Sequence, residues 1–243
     1  MTTAATDSVL FDVRSATLAA VRQPIDGIHL WLAELDSATA QLASNWLSPS
    51  EMARAAKFVF QRDVGRYQAA HVHLRQLLWE RWRIPAGAEF EIGMHGKPQL
   101  PSTAHGFNLS HSEARALIGL STHEHIGVDI EVLRPIADLL PLAERTFTPR
   151  ERQGLHSLGA AAADAAFLTV WTRKEACLKA LGSGLAIEPS SFEVGVTHAA
   201  ESVSILVANR QIELRVQSIA LDDRALAAVA RVITPFSANL LPQ

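Results

Sequence analysis

Three short stretches of the sequence set chemically capable side chains at fixed spacing. The first is Gly127-Val128-Asp129-Ile130-Glu131-Val132, where two carboxylates alternate with apolar residues. Strand side chains alternate faces, so Val128, Ile130 and Val132 share one face while Asp129 and Glu131 share the other. Like charges that close repel: either water screens them on an exposed face, or a cation sits between them. The second stretch is Trp171-Thr172-Arg173-Lys174-Glu175-Ala176-Cys177-Leu178-Lys179-Ala180. Glu175 and Lys179 are four apart and share a helix face, as do Trp171 and Glu175. On a solvated helix this is a surface ion pair worth roughly a few tenths of a kcal/mol. Phe167, Leu168, Val170, Leu178 and Leu181 surround it here, an unusual setting for a purely solvated pair.

The third stretch, Asn108-Leu109-Ser110-His111-Ser112, ends a strand after the loop Gly96-Lys97-Pro98. Glycine lets backbone approach a ligand, proline stiffens the adjoining chain and lysine offers a point charge, which suits a phosphate; a plain surface turn uses the same three residues. His111 between two serines has the makings of half a hydrolase dyad. No Gly-x-Ser-x-Gly elbow accompanies it, so phosphate donation beside Lys97 is the better use. His71 and His73 lie two apart on a helix and face different sides, and His123 and His125 sit in a loop without a further ligand motif, so all four read as structural rather than zinc-binding. Arg54, Lys57, Arg62 and Arg66 form a local basic stripe, either solvated surface or a site for a further phosphate or an acidic partner.

These stretches must be positioned by a regular scaffold. The spacing predicts strands at 28–35, 88–93, 106–110 and 114–121, with helices at 37–46, 49–57 and 63–82. The order then restarts: a strand at 126–132, helices at 135–143, 149–157 and 161–181, and strands at 191–196, 202–207, 211–219 and 225–234. Leu47-Ser48-Pro49-Ser50-Glu51 and Phe147-Thr148-Pro149-Arg150-Glu151 are both capping boxes with proline at the first helical position. Ile84-Pro85 leading to Phe90-Glu91-Ile92-Gly93 resembles Ile187-Glu188-Pro189 leading to Phe192-Glu193-Val194-Gly195 at nearly the same offset. The expectation is an α+β chain built by pseudo-dimeric duplication of two similar subdomains, 1–123 and 124–243, with a cleft at their junction. Residues 1–26 and the tail after Pro235 carry no clear chemistry.

The totals set the outer bounds. At 243 residues and 48% hydrophobic, the chain can bury one large core or two modest ones. A formal net charge of −3 gives no global basic field, so neither nucleic acid nor an anionic membrane is the expected partner. The single cysteine, Cys177, excludes an internal disulfide and fits a reducing cytoplasm. No secretory signal is visible, because Asp7, Asp12 and Arg14 interrupt the N-terminal run, and the Ala-rich stretch at 159–167 is too short to span a bilayer.

Taken together and in order, "GKP", "FNLSHS", "GVDIE" and "WTRKEACLK" resemble the 4'-phosphopantetheinyl transferases of the larger, surfactin-synthetase-activating (Sfp-like) type, over about residues 47 to 196. The resemblance implies the fold of that family, a cytoplasmic monomer whose two halves bind coenzyme A and Mg²⁺, or Mn²⁺ in its place, at their junction. It implies transfer of the phosphopantetheine arm onto a serine of an apo acyl or peptidyl carrier protein, with release of adenosine 3',5'-bisphosphate. Carried over position by position, Asp129, Glu131 and Glu175 would hold the metal, which answers the repulsion in GVDIEV. Glu175 would take the serine proton, while Lys179 and His111 steady the leaving group. His95, Gly96, Lys97, Pro98, Asn108, Ser110 and His111 would line the coenzyme site with Asp129, Glu175 and Lys179. Arg54 and Arg66 are the candidates for the 3'-phosphate. Position 51 is Glu where members of the family can carry a basic residue.

Overall fold

A computed structural model describes residues 18–25, 27–36, 44–101, 103–156, 158–196, 198–236 and 241. The elements run β1 (Leu18–Ile25), β2 (Ile28–Glu34), α1 (Pro49–Ala55), α2 (Gln61–Trp82), β3 (Glu91–Ile92), β4 (Pro98–Gln99), β5 (Gly106–Ser112), β6 (Arg115–Ser121) and β7 (Ile126–Val132). They continue with α3 (Leu139–Thr146), α4 (Pro149–His156), α5 (Ala160–Leu181), β8 (Glu201–Val207), β9 (Arg210–Ile219) and β10 (Ala225–Val232). Two four-stranded antiparallel sheets result, ordered β1-β2-β6-β5 and β7-β10-β9-β8. The α+β class expected from the sequence is the class observed.

Strand alternation decides which face meets what. On one side of the first sheet, Ile118, Leu120 and Phe107 pack against Leu74, Leu77 and Leu78 of α2. From its other side, Ile28, Leu30 and Leu117 meet Val128, Ile130, Ala227 and Val229 of the second sheet. The far face of the second sheet, through Ala228, Ala230 and Leu214, packs on Phe167, Leu168 and Leu178 of α5. The layers are therefore helix, sheet, sheet, helix, with apolar area buried three times over. In this stack Gly127, Asp129 and Glu131 turn towards α5, not towards open solvent.

Each half carries one capping box with a second use. Ser48 Oγ accepts from the Glu51 amide and Glu51 Oε2 accepts from the Ser48 amide; Glu51 also takes the buried guanidinium of Arg75, Nη2 to Oε2 3.0 Å. Thr148 and Glu151 make the same reciprocal bonds, and Glu151 Oε2 takes the buried ammonium of Lys174 at 2.8 Å. Arg75 donates onward to the Ala88 carbonyl oxygen at 2.5 Å and lies 3.7 Å from the Phe90 ring centroid; Lys174 donates to the carbonyls of Pro189 and Phe192 and lies 4.8 Å from the Phe192 ring. We propose on this likeness that the units are 1–123 and 124–243, related by duplication.

Several expectations shift for identifiable reasons. The stretch 191–196 is not a strand: Pro189–Ser191 is a 3-10 turn. The backbone beyond it bonds to side chains instead of a neighbouring strand, with Glu151 accepting from the Val194 amide and Arg173 donating to the Val194 carbonyl. The strand at 88–93 shrinks to Glu91–Ile92, since Ala88 is engaged by Arg75. The helix expected at 135–143 begins at Leu139, after Asp138 at φ 55. Of the helix expected at 37–46, residues 37–43 lie outside the described residues and Ser44–Trp46 is a 3-10 turn. β1 falls in the stretch 1–26, which carried no clear chemistry and for which no strand was expected. Among the described residues, no helix is long and apolar enough to cross a membrane.

Candidate active site

Helix α5 approaches β7 to backbone contact at Gly127. A Cβ there would sit inside the van der Waals radii of the Ala176 carbonyl oxygen and the Ala180 amide, and 2.9 Å from the carbonyl carbon of Lys179. Only glycine tolerates such an approach. It brings Glu175 and Lys179, one turn apart on α5, over Asp129, two residues along β7 from Gly127. Lys179 Nζ lies 2.5 Å from Asp129 Oδ1 and 3.0 Å from Ser110 Oγ. Ser110 donates to the same Asp129 oxygen at 2.7 Å. Asp129 is 4% exposed, and its second oxygen, Oδ2, is buried with no hydrogen-bond partner. Burial raises the Asp129 pKa, against the opposing pull of Lys179. Half-buried Glu175 makes no hydrogen bond among the described residues, and its pKa is raised by burial and then, beyond the opposing effect of Lys179, by the charges of Asp129 and Glu131.

β5 supplies the other wall. Asn108, Ser110 and Ser112 share one of its faces and each reaches β7 by side chain: Asn108 Oδ1 accepts from the Val128 amide at 2.8 Å, Ser110 donates to Asp129, and Ser112 donates to Glu131 at 2.8 Å. The two sheets are thus stitched where backbone pairing stops. Glu131 is also held by Arg134, Nη1 to Oε2 2.9 Å, a partly exposed pair at the end of the strand. Among the described residues, a lysine, an arginine and two serines contact the two acids of GVDIEV.

His111, next on β5, opens onto two adjoining cavities. The larger, about 450 Å³, is lined by Arg54, Tyr67, His71, Phe90, Gly96, Pro98, Phe107, Asn108 and His111, among others. The smaller, about 290 Å³, is lined by Phe58, Arg62, Asp63, Arg66, Tyr67, His111 and Glu113. Partial burial of its ring and then the charges of Lys179 and Arg66 lower the His111 pKa. Arg66 is engaged already, its Nε and Nη2 donating to both oxygens of Asp36 at 2.6 and 2.7 Å and Nη1 lying 3.3 Å from Glu113. These hydrogen bonds strengthen its hold on the proton.

The structure thus brings together Ser110, His111, Asp129, Glu175 and Lys179, with Glu131 beside them, and sets Arg54, Gly96, Pro98, Asn108 and His111 around the larger cavity. Lys97 is placed elsewhere. Gly96, at φ +85, closes the β3–β4 turn, and the Lys97 ammonium donates to the carbonyls of Ile126 at 2.8 Å and Ala180 at 3.2 Å. Burial lowers its pKa to about 8. It ties the hairpin to β7 and α5 and does not line either cavity. His95 does not line them either; its Nε2 is buried without a partner. Sequence reasoning missed Tyr67, Phe90 and Phe107 as cavity walls and dismissed His71. The i, i+4 spacing of Tyr67 and His71 was the available signal.

Among the described residues, no three His, Cys, Asp or Glu side chains converge closely enough to hold a metal ion as they stand. The donor chemistry nonetheless fits a hard divalent cation at two positions: an orphaned, buried carboxylate oxygen on Asp129 and an unbonded carboxylate on Glu175. Glu131 is directed at Ser112 and Arg134.

Comparison with known proteins supplies the family. A profile of the 4'-phosphopantetheinyl transferase superfamily matches residues 125–230, from β7 into β10. The chain is 38% identical over 179 residues to the 4'-phosphopantetheinyl transferase HetI of Nostoc sp., covering 71% of this chain and 75% of that protein. It is 32% identical over 206 residues to the 4'-phosphopantetheinyl transferase psf-1 of Bacillus pumilus, covering 82% and 86%, and 30% identical over 164 residues to the 4'-phosphopantetheinyl transferase Sfp of Bacillus subtilis, covering 66% and 71%. The chain belongs to the 4'-phosphopantetheinyl transferase family. It is an enzyme, a transferase of the phosphopantetheine group.

Proposed function

We propose that this enzyme moves the 4'-phosphopantetheine arm of coenzyme A onto a serine hydroxyl of an apo acyl or peptidyl carrier-protein domain, releasing adenosine 3',5'-bisphosphate, with Mg²⁺ or Mn²⁺ as the required ion. The observation that carries this reading is the meeting of Lys179, Ser110, Glu175 and the half-satisfied Asp129 beside His111, which opens onto a cavity of nucleotide size. Asp129, through Oδ2, and Glu175 would hold the ion. Glu131 joins them by exchanging Arg134, a partly exposed pair that costs little to open. Bound there, the cation would offset charge on the diphosphate oxygens as the phosphoanhydride opens.

The chain's own residues do the rest. Glu175 accepts the serine proton, directly or through a water, as Oγ attacks the phosphorus on the pantetheine side. A carboxylate needs no unusual pKa to serve as base when the hydroxyl is placed beside it. The bond to the second phosphate breaks, and Lys179 and His111 hold the oxygens that gain charge. Asn108 and Ser110 keep β5 and β7 in register beneath them. Arg54 and Arg66 face the 3'-phosphate, Arg66 after release from Asp36 and Glu113. The enzyme acts as a monomer, since both walls of the cleft come from one chain, and its single, free cysteine fits the cytoplasm.

Purified protein with coenzyme A, Mg²⁺ and an apo carrier domain tests the reading by mass spectrometry. A phosphopantetheine mass gain on the carrier serine is expected, and must vanish with chelator. Coenzyme binding without transfer, or diphosphate cleavage with an unmodified carrier, would refute it.

A further inference from the structure

We infer that His71 reads the amino group of the coenzyme's adenine through an Nε2 lone pair presented to the larger cavity. This rests on the coenzyme A reading above. His71 stands one helical turn after Tyr67 on α2, the two rings stacked with centroids 3.9 Å apart and planes 27° from parallel. Its Nδ1 lies 2.9 Å from the Tyr67 carbonyl oxygen. A carbonyl oxygen only accepts, so Nδ1 carries the hydrogen, and in the neutral ring Nε2 is left as an acceptor. Burial, the largest influence, lowers the His71 pKa and favours that neutral form over the opposing pull of Glu51 and of the Tyr67 carbonyl.

Nε2 has no hydrogen-bond partner among the described residues, yet it is not among the unpartnered atoms sealed from solvent. His71 lines the larger cavity, and the assignment places this accessible atom there. Tyr67, Leu74, Phe90 and Phe107 line the same space, giving flat apolar walls that suit a purine. An acceptor set among such walls complements an exocyclic amine and opposes a carbonyl oxygen, because the wrong base leaves two acceptors facing each other without a proton. The sequence reading assigned this histidine a structural role; its stacking on Tyr67 fixes its ring for recognition.

Calorimetric titration of the full chain with three ligands tests the assignment: coenzyme A, its hypoxanthine counterpart with oxygen in place of the amine, and 3'-dephospho-coenzyme A. Wild type should bind the amino form at least about tenfold more tightly than the oxo form. His71→Phe should weaken coenzyme A binding and bring the two within about threefold, and His71→Gln, whose amide oxygen restores an acceptor, should recover part of the preference. No preference in wild type, or an undiminished preference in His71→Phe, overturns the assignment. So does a His71→Phe loss that disappears with 3'-dephospho-coenzyme A, which would make His71 a phosphate donor. If wild type binds none of the three, the coenzyme reading falls and takes this one with it; tight coenzyme A binding without base preference removes His71 alone. Should His71→Phe not fold, nitrogen-15 resonances of wild-type His71 decide: an Nε2 that stays unprotonated and shifts on coenzyme binding supports the assignment, and one that gains a proton or does not shift overturns it.

Discussion

Two lysines five residues apart on α5 each meet a buried acid, and they do opposite things with it. Lys174 Nζ is closed off: Glu151 at 2.8 Å and the carbonyls of Pro189 and Phe192 use all three of its hydrogens, with both side chains 1% exposed or less. Lys179 is left open. Its side chain is 29% exposed, it shares one oxygen of Asp129 with Ser110, and the other oxygen has no partner. A buried pair with every donor and acceptor satisfied fastens loops to a core, whereas one that leaves an acceptor empty carries a cost that a ligand can remove. The Glu51–Arg75 pair is buried like the Lys174 pair but is not fully satisfied, since Arg75 Nη2 makes no hydrogen bond, and Glu51 also touches the larger cavity.

The contrast can be broken most forcefully at the closed pair. Lys174→Ala strands the Glu151 carboxylate and frees the 189–194 backbone, and should cost about 3–5 kcal/mol of stability in chemical denaturation; a loss under about 1 kcal/mol would mean the pair fastens nothing. At the open pair the effect should fall on activity. Asp129→Asn should lower kcat/KM by about 10³-fold, some 4 kcal/mol of barrier, while the melting temperature at neutral pH in chelator stays at or above wild type. The sign comes from the raised pKa: folding strengthens the hold of Asp129 on its proton, so its ionised form opposes folding above that pKa and the opposition fades as pH falls through it towards 3.8. Metal-free wild type should therefore gain on Asp129→Asn as the pH is lowered into that window, and a gap that widens instead would refute the argument. Lys179→Ala should slow transfer by about 10²-fold, read from kcat with saturating carrier.

Smaller effects sharpen the picture at its edges. Lys97 should titrate near pH 8 by NMR of its labelled side chain. Because the unfolded chain binds that proton more tightly, the contribution of Lys97 to stability should rise between pH 8 and its ordinary value of 10.5; a midpoint near 10 would place its ammonium in solvent. Glu113→Gln loosens the grip on Arg66 and should tighten coenzyme A binding by about twofold to fivefold, with no gain for 3'-dephospho-coenzyme A.

The motifs were legible because they combine a period with a charge. GVDIEV announces a strand with two acids on one face, WTRKEACLKA sets an acid and a base one turn apart, and the two capping boxes mark the starts of α1 and α4 to the residue. What stayed hidden depends on contacts distant in the chain. Nothing near Lys97 indicates that Ile126 and Ala180 will take its ammonium, and nothing near Arg66 points to Asp36 and Glu113. The stretch 191–196 alternates like a strand because Phe192 and Val194 are buried, but its hydrogen bonds go to side chains of α4 and α5, which periodicity does not register. The acids of GVDIEV were read as a choice between water and metal, and periodicity gave no sign of the lysine, arginine and serines that contact them.

A single hydrogen atom governs how the catalytic groups are spaced. At position 127 the strand offers nothing but Hα to the helix lying across it, and a methyl there would have to displace either the Ala176–Ala180 turn or β7. Alanine at 127 would then act as a wedge, prising the acid and base of one element away from the acid of the other without altering any group that reacts, so an enzyme with all its chemistry intact would fall silent for want of room.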